Sequence, residues 1–270
     1  GYCYAINLHL IPYFKDIELS KIDIPMLEEF INGLPFTRHR IRLILRPLGE
    51  VFKKAKKSGL ITVNYIEEID QDIFKTRAVA SNYKILPFSQ TEVDSILAAC
   101  EHETIRNLIA TGFYTGMRIG ELFALTWDDI NFDKEIIQVN KATSVKGIIK
   151  EPKTKAGIRN IEMIPKAKAA LLSQYKITGA TRDRVFKSPS GKNWIKTDWF
   201  GHYWKKSLER ANIKYRNPYQ MRHTFISTML TLGNSPMILY PMVGHTNPQV
   251  IYQIYGKYVQ HQGGKILKTE

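Results

Sequence analysis

The chain has 270 residues, 39 Lys+Arg against 25 Asp+Glu, a formal charge of +14 and 44% hydrophobic residues with 11% aromatics. Such a composition builds ordinary cores in one large or two smaller domains, and it excludes disorder and collagen-like order. No apolar stretch reaches the roughly 18 to 20 residues of a membrane span, no basic flank and apolar run mark an export signal, and Cys3 and Cys100 make neither a disulfide framework nor a zinc motif, so a reducing cytosol is the expected setting.

In chain order, residues 1–78 read as a helical bundle. Ser20 or Asp23 can cap a helix through Pro25, Leu27, Phe30 and Ile31, which Gly33 and Pro35 end. After Thr37, Ile41, Ile44, Leu45, Leu48, Val51, Phe52 and Ala55 recur at spacings of three and four up to Gly59. Arg38, Arg42 and Lys53 are among the cations that fill the other faces. This helix can bury one side and offer those three to phosphates with another.

Periodicity fades before Pro87, which places a linker at 79–86 and a second domain at 87–270. Ser89, Gln90, Thr91 and Glu92 form a capping box, with Phe88 as a hydrophobic staple on Val93. Helices are expected at 105–114 and 117–125. Strands follow at 135–139, 147–150 and 158–164, with Lys153 to Gly157 as the turn between the last two, and helices return beyond Pro165. The expected fold class is mainly α with a small antiparallel β-sheet, in two domains.

The charge is unevenly placed. Residues 141–222 hold 20 Lys+Arg and 5 Asp+Glu, a local surplus above that of the whole chain, with Tyr175, Trp194, Trp199, Tyr203, Trp204 and Tyr215 among them. Concentrated cations with interleaved aromatics point to a nucleic-acid partner. No carboxylate cluster or His/Asp ligand motif accompanies them, so neither a metal nor a cofactor is expected.

Four segments of the second domain carry candidate chemistry. Arg118 follows the glycine turn of Thr115-Gly116-Met117 and precedes Glu121 by three; Lys153 and Lys155 sit in the expected hairpin turn; Tyr219, Arg222 and His223 share a short segment; His245 follows Val243-Gly244, with Tyr252, Tyr255 and Tyr258 beyond it. Taken singly, each fits an ion pair, a solvated turn or a core stripe. Their order resembles the successive boxes of the phage integrase family of tyrosine recombinases, and residues 1–78 resemble that family's helical core-binding domain.

The resemblance implies a site-specific recombinase that integrates or excises a mobile element through a 3′-phosphotyrosyl intermediate. Arg118 and Arg222 would neutralise the phosphate, since a guanidinium can bind two of its oxygens at once. Lys153 would protonate the departing 5′-oxygen, Lys155 being the less fitting occupant. His245 would bond the phosphate and support proton transfer, Glu121 would orient the arginines, and His223 would give structural support. Tyr255 would be the nucleophile, with Tyr252 and Tyr258 as the other candidates, because the commonest family spacing falls on Ile254. Tyr219 stands where the family usually has histidine; a phenol cannot serve as a neutral-pH base, though it can bond and position a phosphate. Lys155 and Arg159 join Arg38, Arg42 and Lys53 as expected DNA contacts.

By the same resemblance the partners are double-stranded DNA, three further copies in a tetramer on DNA, a directionality factor and a host DNA-bending protein, with no membrane. The tail 259–270 would be exchanged between neighbours, and an arm-type DNA-binding domain would precede Gly1. Two other functions share these features. A type IB topoisomerase uses the same chemistry on one duplex, and an accessory DNA-binding protein would have lost catalysis at Tyr219 and the shifted tyrosine.

Overall fold

The helix signals of the sequence are realised at their caps in a computed structural model, which describes residues 2–69, 84–144, 147–152, 157–181, 183–194 and 197–256. Most of the expected linker, Lys153, Lys155, Tyr258 and the tail lie outside the described residues. The chain divides into two units, Gly1–Lys84 and Ile85–Glu270.

The first unit opens with α1 (Tyr2–Ala5), a π-wound stretch Ile6–Leu10 and α2 (Ile11–Phe14). Asp23 accepts the Met26 amide at 3.0 Å and starts α3 (Ile24–Asn32); Thr37 accepts the Arg40 amide at 3.4 Å and starts α4 (Arg38–Lys57). A short α5 (Tyr65–Glu68) follows. Leu27, Phe30 and Ile31 of α3 are buried in one core with Ile41, Ile44, Leu45, Leu48 and Phe52 of α4. Val51, expected on that face, is exposed: at 100° per residue it lies about 70° from the centre of the apolar stripe. Arg42 and Lys53 are also exposed, and Arg38 is half-buried.

The second unit begins with the capping box as expected. Ser89 accepts the Glu92 amide at 3.1 Å, and Glu92 accepts the Ser89 amide at 2.8 Å, ahead of α6 (Gln90–Ala98). Helices α7 (Glu103–Thr115), α8 (Ile119–Ala124), α9 (Pro165–Thr178) and α10 (Thr197–Arg210) surround a core containing Phe88, Phe113, Phe123, Phe186, Trp194 and Trp204. Trp194 and Trp204, taken from the sequence as aromatics for nucleic acid, are therefore core residues. The helices α11 (Gln220–Thr231), α12 (Pro236–Met242) and α13 (Pro248–Tyr255) close around a second cluster of Phe225, Ile226, Leu239, Val243, Ile251 and Tyr255.

The strands pair differently from the expected hairpin. β1 (Ile130–Asn131), β2 (Ile136–Val139) and β5 (Arg159–Glu162) form one antiparallel sheet in that order, while β3 (Ala142–Thr143) pairs with β4 (Ile149–Lys150). The 147–150 strand thus turns back on 142–143 through Gly147, whose φ of 77° suits a tight reversal. The register sets Val139 opposite Arg159 and Ile137 opposite Ile161, so β5 buries Arg159 and Ile161 and exposes Asn160 and Glu162.

Candidate active site

Arg118 is carried by the turn between α7 and α8, and two glycines let that turn form. Gly116 has φ of 64°, and a Cβ there would meet the Phe225 ring at 2.5 Å; a Cβ at Gly120 would meet the Thr143 carbonyl oxygen at 2.6 Å. A side-chain ring at the first point and a backbone carbonyl at the second leave room only for hydrogen. Glu121 then reaches back: its Oε2 accepts the Arg118 amide at 2.8 Å and its Oε1 accepts Arg118 Nη1 at 2.9 Å, while Arg118 Nη2 donates to the Gly244 carbonyl at 3.1 Å. One side chain thereby ties the α7–α8 turn to the backbone next to His245.

Glu121 has a second partner that the sequence reading placed elsewhere. Arg159, expected at the DNA surface, is buried and donates Nη1 at 3.0 Å and Nη2 at 2.8 Å to the two Glu121 oxygens, and Nε at 2.6 Å to the Met242 carbonyl. Its inward position follows from the β5 alternation, since Ile161 and Met163, two and four residues on, are buried too. That period-two pattern was the available signal. The arginines that Glu121 bonds are therefore Arg118 and Arg159. Burial pushes the Glu121 carboxyl up, and the Arg159 and Arg118 bonds outweigh it and hold it below the ordinary carboxylate range.

Arg222 enters from the first turn of α11. It is 1% exposed, and its Nη1 donates to the Gly116 carbonyl at 3.0 Å, two residues before Arg118. Its Nε and Nη2 are buried with no hydrogen-bond partner among the described residues. Burial first, and the Arg118 charge second, bring its pKa down to about 10. The guanidinium remains charged at pH 7, with two donors to offer an anion. His245 is half-buried, its Nε2 is without a partner among the described residues, and burial with the charges of Arg222 and Arg118 lowers it to about 4.

Arg118 and Arg159 bond one carboxylate, and the Arg222 charge acts on the same group, so positive charge is in excess in a partly buried place, which is the electrostatics of an oxyanion site. Among the described residues no three His, Cys, Asp or Glu stand together as metal ligands.

Tyr219 precedes α11 and is 42% exposed, with its ring centroid 5.0 Å from that of His223. His223 is 5% exposed, and burial followed by the Arg222 charge lowers it to about 4. Its Nδ1 lies 2.6 Å from the Tyr255 hydroxyl, a contact that the sequence reading did not foresee. α13, capped by Asn247 accepting the Gln249 amide at 2.7 Å, delivers Tyr255 buried onto α11 and leaves Tyr252 exposed. Arg118, Tyr219, Arg222, His223, His245 and Tyr255 are brought together; Lys153 and Lys155 lie outside the described residues.

Comparison with known proteins bears on the family and the fold. Residues 87–261 match the model of the phage integrase family, and residues 1–34 that of the phage integrase N-terminal SAM-like domain. Prophage integrase IntR of Escherichia coli K12 is 32% identical over 235 residues, covering 78% of this chain and 56% of its own length; the ICEBs1 integrase of Bacillus subtilis is 21% identical, covering 94% and 72%. The chain thus spans about half the length of IntR. Among solved structures, the fold is similar to that of the Tn1549 transposon integrase in complex with a circular intermediate DNA, with TM-score 0.71 and 23% identity over 88% of this chain and 82% of that one. It is also similar to a lambda integrase tetramer bound to a Holliday junction, with TM-score 0.67 and 19% identity over 100% and 73%. On the match over most of the second unit, the chain belongs to the phage integrase family.

Proposed function

We propose that this chain cuts and rejoins DNA strands at specific sites, for integration or excision of a mobile element, through a phosphotyrosyl intermediate on Tyr255. The observation that carries this is the convergence of Arg118, Arg222 and His245, from three separate segments, beside a tyrosine hydroxyl held on α11. Arg118 and Arg222 neutralise the charge that grows on the non-bridging oxygens, so the chemistry needs no metal ion. His245 donates to the same phosphate, and Tyr219 bonds and positions it. Lys153 protonates the 5′-oxygen, with Lys155 as the neighbouring candidate.

Tyr255 attacks phosphorus, the energy of the phosphodiester is kept in the 3′-phosphotyrosyl bond, and the 5′-hydroxyl of another strand reverses the step. Arg38, Arg42 and Lys53 contact the backbone from the first domain, over residues 1–78, joined by the 79–86 linker to the catalytic domain at 87–270. The working assembly is a tetramer on two duplexes. A directionality factor and a host bending protein complete the reading.

The experiment incubates the parent chain, Tyr255→Phe and Tyr252→Phe with sheared DNA from around the encoding locus in EDTA, traps adducts with SDS and sequences them. Adducts that vanish only in Tyr255→Phe, at one sequence, are the expected result. Tight gel shifts with no adduct from the parent chain contradict the reading in favour of a DNA-binding role.

A further inference from the structure

A phenol that attacks phosphorus must give up its proton, and Tyr255 is poorly placed to give it to bulk water. The residue is 1% exposed, and its hydroxyl lies 2.6 Å from Nδ1 of His223, itself 5% exposed. A proton acceptor within hydrogen-bond reach of the reacting atom is the geometry of general-base catalysis. Tyr219, four residues before His223 and one turn away, is itself a phenol, a residue type that is not a base at neutral pH. It contacts the imidazole instead, edge-on at 5.0 Å between centroids, and the Tyr255 ring packs on the same imidazole at 5.4 Å. Two aromatic rings therefore restrict the orientation of His223 while Nδ1 faces the Tyr255 oxygen.

We propose that His223 is the catalytic residue that accepts the phenolic proton of Tyr255; this rests on the reading of Tyr255 as nucleophile. As the bond from Tyr255 Oη to phosphorus forms and the bond from phosphorus to the 5′-oxygen breaks, the phenolic proton passes to Nδ1 of His223. The 5′-oxygen takes its proton from the ammonium of the hairpin lysine. On rejoining, the incoming 5′-hydroxyl returns a proton to that lysine, and the imidazolium returns its own to Oη. Burial and the Arg222 charge keep the imidazole neutral at pH 7, and in the tautomer protonated at Nε2, which this step requires, Nδ1 accepts from the Tyr255 hydroxyl. A phosphate arriving between the arginines offsets the Arg222 charge, and the proton affinity of His223 rises as the nucleophile engages.

The test follows single-turnover adduct formation on nicked duplexes that carry the cleavage sequence recovered by trapping. The parent chain and His223→Asn are each compared with their counterparts containing 2,3-difluorotyrosine in place of Tyr255. Asparagine keeps an acceptor atom near Nδ1 and cannot take a proton. His223→Asn is expected to slow adduct formation about 100-fold or more, with gel-shift affinity unchanged. The fluorinated phenol, which loses its proton more readily, is expected to recover most of that loss.

A purely structural role gives the same loss with either nucleophile, and that result, or a loss under about threefold, overturns the assignment. If His223→Asn does not fold, His223→Gln with the same two nucleophiles gives the same comparison. No adduct from the parent chain, or an adduct that survives Tyr255→Phe, overturns the nucleophile reading and this assignment with it.

Discussion

Glu121 shows how much of this site depends on one buried carboxylate. It holds Arg118 from one side and Arg159 from another, and Arg159 is nearly inaccessible. Removing it by Glu121→Ala leaves a guanidinium buried without its counter-ion, a change that costs about 3 to 5 kcal/mol. Urea denaturation should show a loss of that size, whereas Arg118→Ala, at a more exposed partner, should cost far less. A difference smaller than about 1 kcal/mol between the two variants would contradict the pairing.

Tyr219 is the opposite case, exposed and at the helix start. Tyr219→Phe removes one hydroxyl and keeps the ring against His223. It should lower the cleavage rate about tenfold without altering stability, as one lost hydrogen bond to a charged oxygen does. An unchanged strand-transfer rate means that the hydroxyl does not touch the phosphate.

At the scale of elements, the α7–α8 turn and the α11 and α13 helices decide where the charges meet. Gly120 faces the Thr143 carbonyl so closely that Gly120→Ala must push α8 away from β3. The expected cost is about 1 to 3 kcal/mol, with a larger proportional loss of cleavage because Arg118 moves with the helix start; a fully active, equally stable variant contradicts this. The two histidines add a pH signature. Both have pKa values lowered to about 4 from an ordinary 6.5, so the unfolded chain takes up protons that the folded chain refuses. Their contribution is complete above about pH 6.5 and is lost as pH falls toward 4. Denaturant midpoints should drop across that window, and a His223→Asn, His245→Asn double variant should flatten the drop.

Most of these elements were legible in the sequence because their causes are local. The cap at Ser89, the cap at Asp23, one of two candidates with Ser20, and the three-and-four spacing of α4 need only neighbours along the chain. Strand pairing was not legible, because β2 finds β5 across about twenty residues while β4 turns back on β3. The same non-local register hid Arg159, whose charge suggested a surface contact and whose alternation with Ile161 buried it. Arg118, Arg222 and His245 were recognisable from their segments, but the contact of His223 with Tyr255 depends on how α13 packs against α11. Nothing in the spacing of those residues specifies that contact.

At the scale of the whole molecule, the charge of +14 bears on binding more than on fold. Cations that neutralise phosphates release counter-ions, so DNA affinity should fall steeply between about 50 and 200 mM salt. Arg42→Ala or Lys53→Ala should each reduce the log–log slope by about one and weaken all sequences alike. A slope unchanged by both places the first unit's contacts elsewhere. Among the described residues no helix is long and apolar enough to cross a membrane.

The central claim is that Tyr255 becomes covalently joined to DNA, and mass spectrometry of the trapped adduct tests it most directly. The parent chain is stalled on the recovered nicked duplex, the DNA is digested to a single nucleotide remnant, and fragment ions locate the added mass. The expected result is a nucleotide 3′-phosphate on Tyr255. The same mass on Tyr252 or Tyr258, or on no tyrosine while binding persists, contradicts the account.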